Sequence, residues 1–205
     1  MPNMLKNSFY LLLFIVCFGL TSCTPDKLSE KALYTYLKDE SNGLMHRWKK
    51  DPFEISVMYK PSSLLAKQEL GEETDLSKIQ EVNDRYNQYL YFVLSYSYKG
   101  GELLNAFGGD KEVFASLINQ LSFGMNENVN IITDQKYKVP LSDYIHNRNY
   151  GKGSESSVLL VFNKNLVQNQ STEYFKLKLK DIGIRIGNKS FVILKEKLEK
   201  CPTLK

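Results

Sequence analysis

The chain has 205 residues, and among them are only two histidines, three cysteines and one tryptophan. Each scarcity closes off a class of chemistry. His46 and His146 alone cannot build a three-histidine zinc centre. A mixed site could draw on Asp143 and His146, but zinc needs three or four ligands and a defined second shell, and the flanking Pro140 and Asn147-Arg148-Asn149 place that pair in a polar loop. No serine is followed three residues later by lysine, and neither Gly-x-Ser-x-Gly nor His-Glu-x-x-His occurs. The local signatures of penicillin-binding enzymes, esterases and zinc proteases are therefore missing. Gly151-Lys152-Gly153-Ser154 imitates a phosphate loop without the Gly-Lys-Ser/Thr ending or the helix start that holds the phosphate. No cofactor and no metal is expected, and the chain is not expected to be an enzyme.

Long apolar runs are also lacking, with one exception at the start. Lys6 is followed by an apolar stretch, Tyr10 to Leu20, interrupted only by Gly19. A run of this size is too short to span a bilayer, which takes roughly 20 residues, and has the charge and length of a secretory h-region. It closes on Leu20-Thr21-Ser22-Cys23, a tetrapeptide that resembles a bacterial lipobox. The resemblance implies a lipoprotein: cleavage before Cys23, acylation of Cys23 as the first mature residue, and effectively permanent attachment to a membrane, since each buried methylene contributes about 0.8 kcal/mol. It also implies that Thr24, standing where an inner-membrane retention signal would carry aspartate, directs the protein to the outer membrane. The resemblance supplies an address and no activity.

Residues 1–22 are accordingly read as signal, 23–26 as a short lipid tether and 27–205 as one globular domain. Without the signal, 26 basic and 23 acidic side chains remain. That near balance, together with export, argues against a nucleic-acid partner. Cys17 leaves with the signal and Cys23 takes the lipid, so Cys201 has no partner for an intramolecular disulfide. The domain has to rely on its core, for which 13 Tyr and 11 Phe are ample material.

Periodicity gives the order of elements. Leu28, Ala32, Leu33, Tyr36 and Leu37 share one helical face, with Asp26 as cap and Asn42-Gly43 as stop. Phe53 to Tyr59 alternates as a half-buried strand ended by Pro61, and a short helix from Ser63 to Leu70 follows. Leu76, Ile79, Val82 and Tyr86 recur at helical spacing after Asp75, and Tyr89 to Tyr98 is a central strand broken by Gly100-Gly101. Asp110 caps a helix whose face is Val113, Phe114, Leu117, Ile118 and Leu121. Strand candidates then dominate: Val129 to Thr133, Tyr137 to Val139, Val158 to Phe162 and Glu173 to Lys180. Finally, Ile182, Ile184 and Ile186 read as a strand turning at Gly187-Asn188 into Phe191 to Leu194. The expected fold is α+β, with helices toward the N-terminal half packed on a mainly antiparallel sheet or sandwich that dominates the C-terminal half.

Two surfaces offer contact chemistry. From Tyr174 to Lys205 nine basic residues face three acids, and Lys176, Lys178, Lys180 and Arg185 form a candidate basic patch, or else the lysines are the solvent face of an edge strand. The aromatics from Tyr86 to Tyr98, Tyr89 and Tyr91 in particular, are a candidate groove for a sugar or peptide. Glu102 after Gly100-Gly101 is a strand-end acid, read as a solvated turn residue, and Cys201 as an incidental thiol. The expected role is an interaction or accessory subunit of an envelope assembly, joined to a membrane through the lipid on Cys23 and to an envelope protein partner. The alternative is a carbohydrate- or peptide-binding lipoprotein using the tyrosine stretch.

Overall fold

The computed structural model describes residues 26–147, 153–168 and 171–205. Within them a six-stranded antiparallel sheet and a four-stranded one lie face to face, with helices closing the ends, in an α+β architecture.

The six-stranded sheet runs β2 (Met45–Lys50), β3 (Phe53–Lys60), β4 (Tyr89–Tyr98), β9 (Ser156–Asn163), β8 (Asp143–Asn147), with the two-residue β5 (Gly101–Glu102) folded back on the end of β4. It thus takes strands from both halves of the chain. Alternation in the sequence sets its two faces. Ile55 and Val57 of β3, Leu90, Phe92, Leu94 and Tyr96 of β4, and Val158, Leu160 and Phe162 of β9 point inward and are buried. The four-stranded sheet runs β11 (Lys189–Leu194), β10 (Tyr174–Leu179), β6 (Val129–Thr133), β7 (Lys138–Pro140). Phe191, Ile193, Phe175, Leu177, Leu179, Val129, Ile131 and Val139 are its inner face. Phe92 joins the layers: its ring meets Phe162 edge-on at 6.2 Å and Phe175 across the sandwich at 6.1 Å.

Helices α1 (Glu30–Lys38) and α5 (Lys111–Phe123) contribute to the same core through Leu33 and Leu37, and through Leu117 and Leu121. Ser29 caps α1, its Oγ accepting from the Ala32 N–H, and Asp110 caps α5. Asp26 is not the cap expected of it, because Lys27–Leu28 is extended as β1, paired in parallel with β12 (Thr203–Leu204). The Thr203 N–H donates to the Asp26 carbonyl at 2.9 Å, so the two ends of the described chain lie side by side.

Between β3 and β4 the chain makes a helical hairpin, α2 (Ser62–Leu70) and α3 (Leu76–Asn87), the latter capped by Asp75. Short helices α4 (Leu103–Ala106), α6 (Met125–Asn128), α7 (Lys164–Val167) and α8 (Lys195–Glu199) serve as connectors.

Several expectations are corrected. The stretch Ile182, Ile184, Ile186 is no strand: residues 180–188 form a loop joining β10 to β11. Gly183, Arg185 and Gly187 there have φ of 103°, 60° and 73°, which no strand can accommodate. The Asp181 carboxylate gathers the loop, accepting N–H bonds from Gly183, Ile184, Arg185 and Gly187 at 2.6–3.1 Å. Asp143 and His146 stand on strand β8 and not in a loop. Finally, β10 lies between β11 and β6, so its lysines are not on an edge strand.

Candidate functional site

The helical hairpin α2–α3 covers only part of the outer face of the six-stranded sheet. Leu65 of α2 packs onto Tyr91 and Val161, forming a small second cluster with Tyr86, Tyr89 and Leu159. Beyond it the outer face stays open as far as β8. Strand register lays out the floor: Lys60, Tyr91, Val161 and Asp143 stand in one row across β3, β4, β9 and β8, and Met58, Val93, Leu159 and Ile145 in the next. Between the hairpin wall and β8 runs a groove of about 590 Å³. Tyr86 and Tyr89 line one side with Tyr91 at its foot, Leu159 and Val161 form the base, and Ser142, Asp143 and Ile145 the other side.

The aromatic wall is ordered by contacts between its members. Tyr91, 6% exposed, is the central ring, with Tyr86 at 5.9 Å and 48° and Tyr89 at 6.4 Å and 59°. Burial pushes the Tyr91 hydroxyl up to about 12, so it stays a neutral donor and acceptor over the biological range. Tyr86 is held by charge. Its hydroxyl donates to Glu69 Oε2 at 2.8 Å, and Arg85, which bonds Glu69 Oε1, has its guanidinium carbon 5.6 Å from the Tyr86 ring centre. The Tyr86 hydroxyl first, and Arg85 second, hold the Glu69 carboxyl below its ordinary range. The groove therefore presents flat tyrosine faces, the carboxylates Glu69 and Asp143, a guanidinium and the Ser142 hydroxyl around an apolar base.

No protein-family model, curated protein or solved structure matches the chain. The chemistry of the site has to come from its own residues.

The expected site residues divide among three places. Tyr89 and Tyr91 do come together, and they form the groove wall. Lys176 and Lys178 lie on the opposite side of the molecule, on the outer face of the four-stranded sheet, with Lys180 at its end and Arg185 in the loop beyond. Cys23, the expected lipid acceptor, lies outside the described residues, as do Arg148 to Lys152 of the polar loop. Asp143 and His146 cannot share a metal: three positions apart on a strand they point to opposite faces, Asp143 into the groove and His146 inward, where its Nδ1 meets Ser122 Oγ at 3.0 Å. No group of three metal-ligating side chains occurs among the described residues. Glu102 is not a solvated turn acid: it is 4% exposed, at the start of α4. Cys201 is partly buried, and desolvation pushes its thiol up to about 11, which keeps it protonated and unreactive.

Sequence reasoning did not assign Leu65, Glu69, Ser142 or Ile145 to any site. Only tertiary packing brings α2 and β8 beside the tyrosines. Ile145 is apolar on a strand whose other odd positions, Asp143 and Asn147, are polar, and it stands 54% exposed at the groove's edge.

Proposed function

We propose that this protein is an exported, lipid-tethered binding protein whose tyrosine groove takes a segment of a glycan chain. The observation that carries the reading is the wall of Tyr86, Tyr89 and Tyr91 facing Ser142 and Asp143 across an open groove. A pyranose ring has an apolar C–H face and a rim of hydroxyls, and the groove offers both complements: flat aromatic faces for the first, carboxylates and a guanidinium for the second. An open groove, as opposed to a closed cavity, suits an internal stretch of a polymer. The tether is read from the lipobox resemblance, with acylation at Cys23, and would hold the groove at the envelope where such polymers lie.

The test is titration of the chain beginning at Cys23, carrying Cys23→Ser, with soluble oligosaccharides of N-acetylglucosamine and with uncharged glucans, followed by tyrosine fluorescence and by amide NMR shifts. Saturable binding that moves resonances of β4, β8 and α2, and that Tyr89→Ala with Tyr91→Ala abolishes, supports the reading. Absence of binding to every glycan, with protein partners captured from intact cells in a Cys23-dependent manner, overturns it in favour of an accessory subunit of an envelope assembly.

A further inference from the structure

The outer face of the four-stranded sheet is covered by no element of the described chain. Strand register defines what it displays. Lys176 stands between Val192 and Ile132, with Lys138 beside Ile132, and Lys178 stands between Ser190 and Asn130. Tyr174 and Leu194 pair at one end, and Lys180 follows β10 at the other. Among the strand positions of this face are three lysines and no carboxylate. The nearby acids stand off it or are occupied: Asp134 accepts the Glu173 N–H at 2.7 Å, Glu173 precedes β10, Asp181 is turned into its own loop, and at the Leu194 end Glu196 and Glu199 of α8 pair with Lys200 and Lys195.

The face is apolar as well as basic. Val192 and Leu194 are 46% and 42% exposed. The Lys176 ammonium lies 5.9 Å from the Tyr174 ring centre, so a cation and an aromatic ring stand side by side on this face. An aromatic ring, aliphatic side chains and lysines on one flat face match an interfacial surface: headgroup phosphates meet the ammonium groups while Tyr174, Val192 and Leu194 reach the acyl boundary. The cations are lysines throughout, point charges that suit a fluid layer of phosphates. A bidentate protein site would call for arginine.

Position relative to the chain start points the same way. From Leu194 the chain passes through α8 and Pro202 to Thr203, whose N–H donates to Asp26, three residues beyond Cys23. The Tyr174–Leu194 end of the face is thus joined by a short connector to the tether point.

We propose that this face rests on an anionic phospholipid surface, with Lys138, Lys176 and Lys178 as headgroup contacts. The proposal rests on the tethered reading given above. Because the two sheets pack by their inner faces, it turns the tyrosine groove on the far side of the sandwich away from the bilayer, where a polymer can reach it.

The test uses the chain from residue 23 with Cys23→Ser, which keeps both sheets whole and has no lipid of its own, in sedimentation with vesicles rich in phosphatidylglycerol and with vesicles of phosphatidylcholine alone. Binding is expected to the anionic vesicles only, and to weaken as salt rises. The set K138E, K176E and K178E lowers partitioning by at least about tenfold, the corresponding glutamine set has an intermediate effect, and circular dichroism and glycan binding are unchanged in both. Equal binding by the reversed set, equal binding to phosphatidylcholine, or no binding to anionic vesicles overturns the proposal. Capture of an envelope protein by this face without vesicle binding overturns it in favour of a protein partner. Failure of the tether is seen separately, as a native N-terminus without acyl mass on Cys23.

Discussion

The Tyr86 hydroxyl donates to the Glu69 carboxylate at 2.8 Å, and this bond holds the Tyr86 ring at the mouth of the groove. Glu69 lies on α2 and Tyr86 on α3, so one bond both closes the hairpin and places the ring. Exposed ion pairs and hydrogen bonds of this kind contribute little to folding, because water screens both partners. Glu69→Ala is therefore expected to leave the melting temperature almost unchanged while weakening glycan binding about tenfold, the loss of one oriented charged contact. Calorimetry and fluorescence titration on the same sample separate the two effects. If stability and affinity fall together, the pair is structural only.

Phe92 and Leu76 make the opposite contrast. Phe92 is 1% exposed and touches Phe162 and Phe175 across both sheets. Phe92→Ala leaves a cavity at the centre of the sandwich and should cost about 3–5 kcal/mol in urea unfolding. Leu76 belongs to the helical periodicity of Leu76, Ile79, Val82 and Tyr86 in the sequence but is 81% exposed, and Leu76→Ala should fall within about 0.5 kcal/mol of wild type.

This contrast shows where the sequence could be read and where it could not. Alternation marks β3, β10 and the second half of β4, because strands with one buried face place apolar residues at every second position, and β9 is marked instead by an unbroken apolar run, since both of its faces are largely buried. Strand β2 was invisible: His46, Arg47, Trp48, Lys49 and Lys50 form an edge strand with little to bury, so polarity hid it. Strand β8 reads as a loop for the same reason. The loop at 180–188 reads as a strand because Ile182, Ile184 and Ile186 alternate, yet Ile182 and Ile184 are buried by a coil that Asp181 holds together. Half of the groove was legible, since tyrosines cluster within β4. Glu69 and Asp143 were not, because pairing across the fold leaves no local trace.

Cys201 offers a chemical probe of the C-terminal packing. Burial pushes its thiol up to about 11, so at pH 8 almost none is thiolate in the folded protein. Alkylation by iodoacetamide should be many times slower in the native protein than in urea, where a cysteine titrates near 8.5. Comparable rates in the two states would mean that the contact between α1 and the C-terminal segment opens readily.

His46 sets a direction for pH dependence. Burial depresses its imidazole below the ordinary 6.5, against the opposing influence of the Gly43 backbone and the Glu40 carboxylate. The unfolded chain therefore binds the proton more readily than the folded one. The stability linked to His46 is complete above about pH 6.5 and is lost as pH falls from there toward the depressed folded value. Denaturant unfolding at pH 7.5 and pH 5.5 should show a smaller decline for His46→Gln than for wild type. An equal decline would assign the acid sensitivity to other groups.

Asp181 supports the sharpest prediction about the fold itself. Desolvation pushes its carboxyl up, but the backbone N–H groups of Gly187, Gly183, Arg185 and Ile184 outweigh that and hold it below the ordinary value. Three of these N–H groups converge on Oδ1 and the fourth on Oδ2, at 2.6 Å. Asparagine keeps one oxygen, so it can retain the Oδ1 cluster while losing the bond from Gly187. Alanine keeps neither, and leaves Arg185 at a positive φ with nothing to compensate it. Asp181→Ala is expected to cost about 2–3 kcal/mol and Asp181→Asn about half of that. The depressed carboxyl also fixes the sign with acid: its contribution is complete above about pH 4 and disappears as pH falls through the folded value. Because Ile182 and Ile184 enter the core through this loop, hydrogen exchange in β10 and β11 should rise in Asp181→Ala while that of β4 and β9 stays unchanged. A uniform rise through both sheets would show that the loop is an integral part of one cooperative unit and not a local cover.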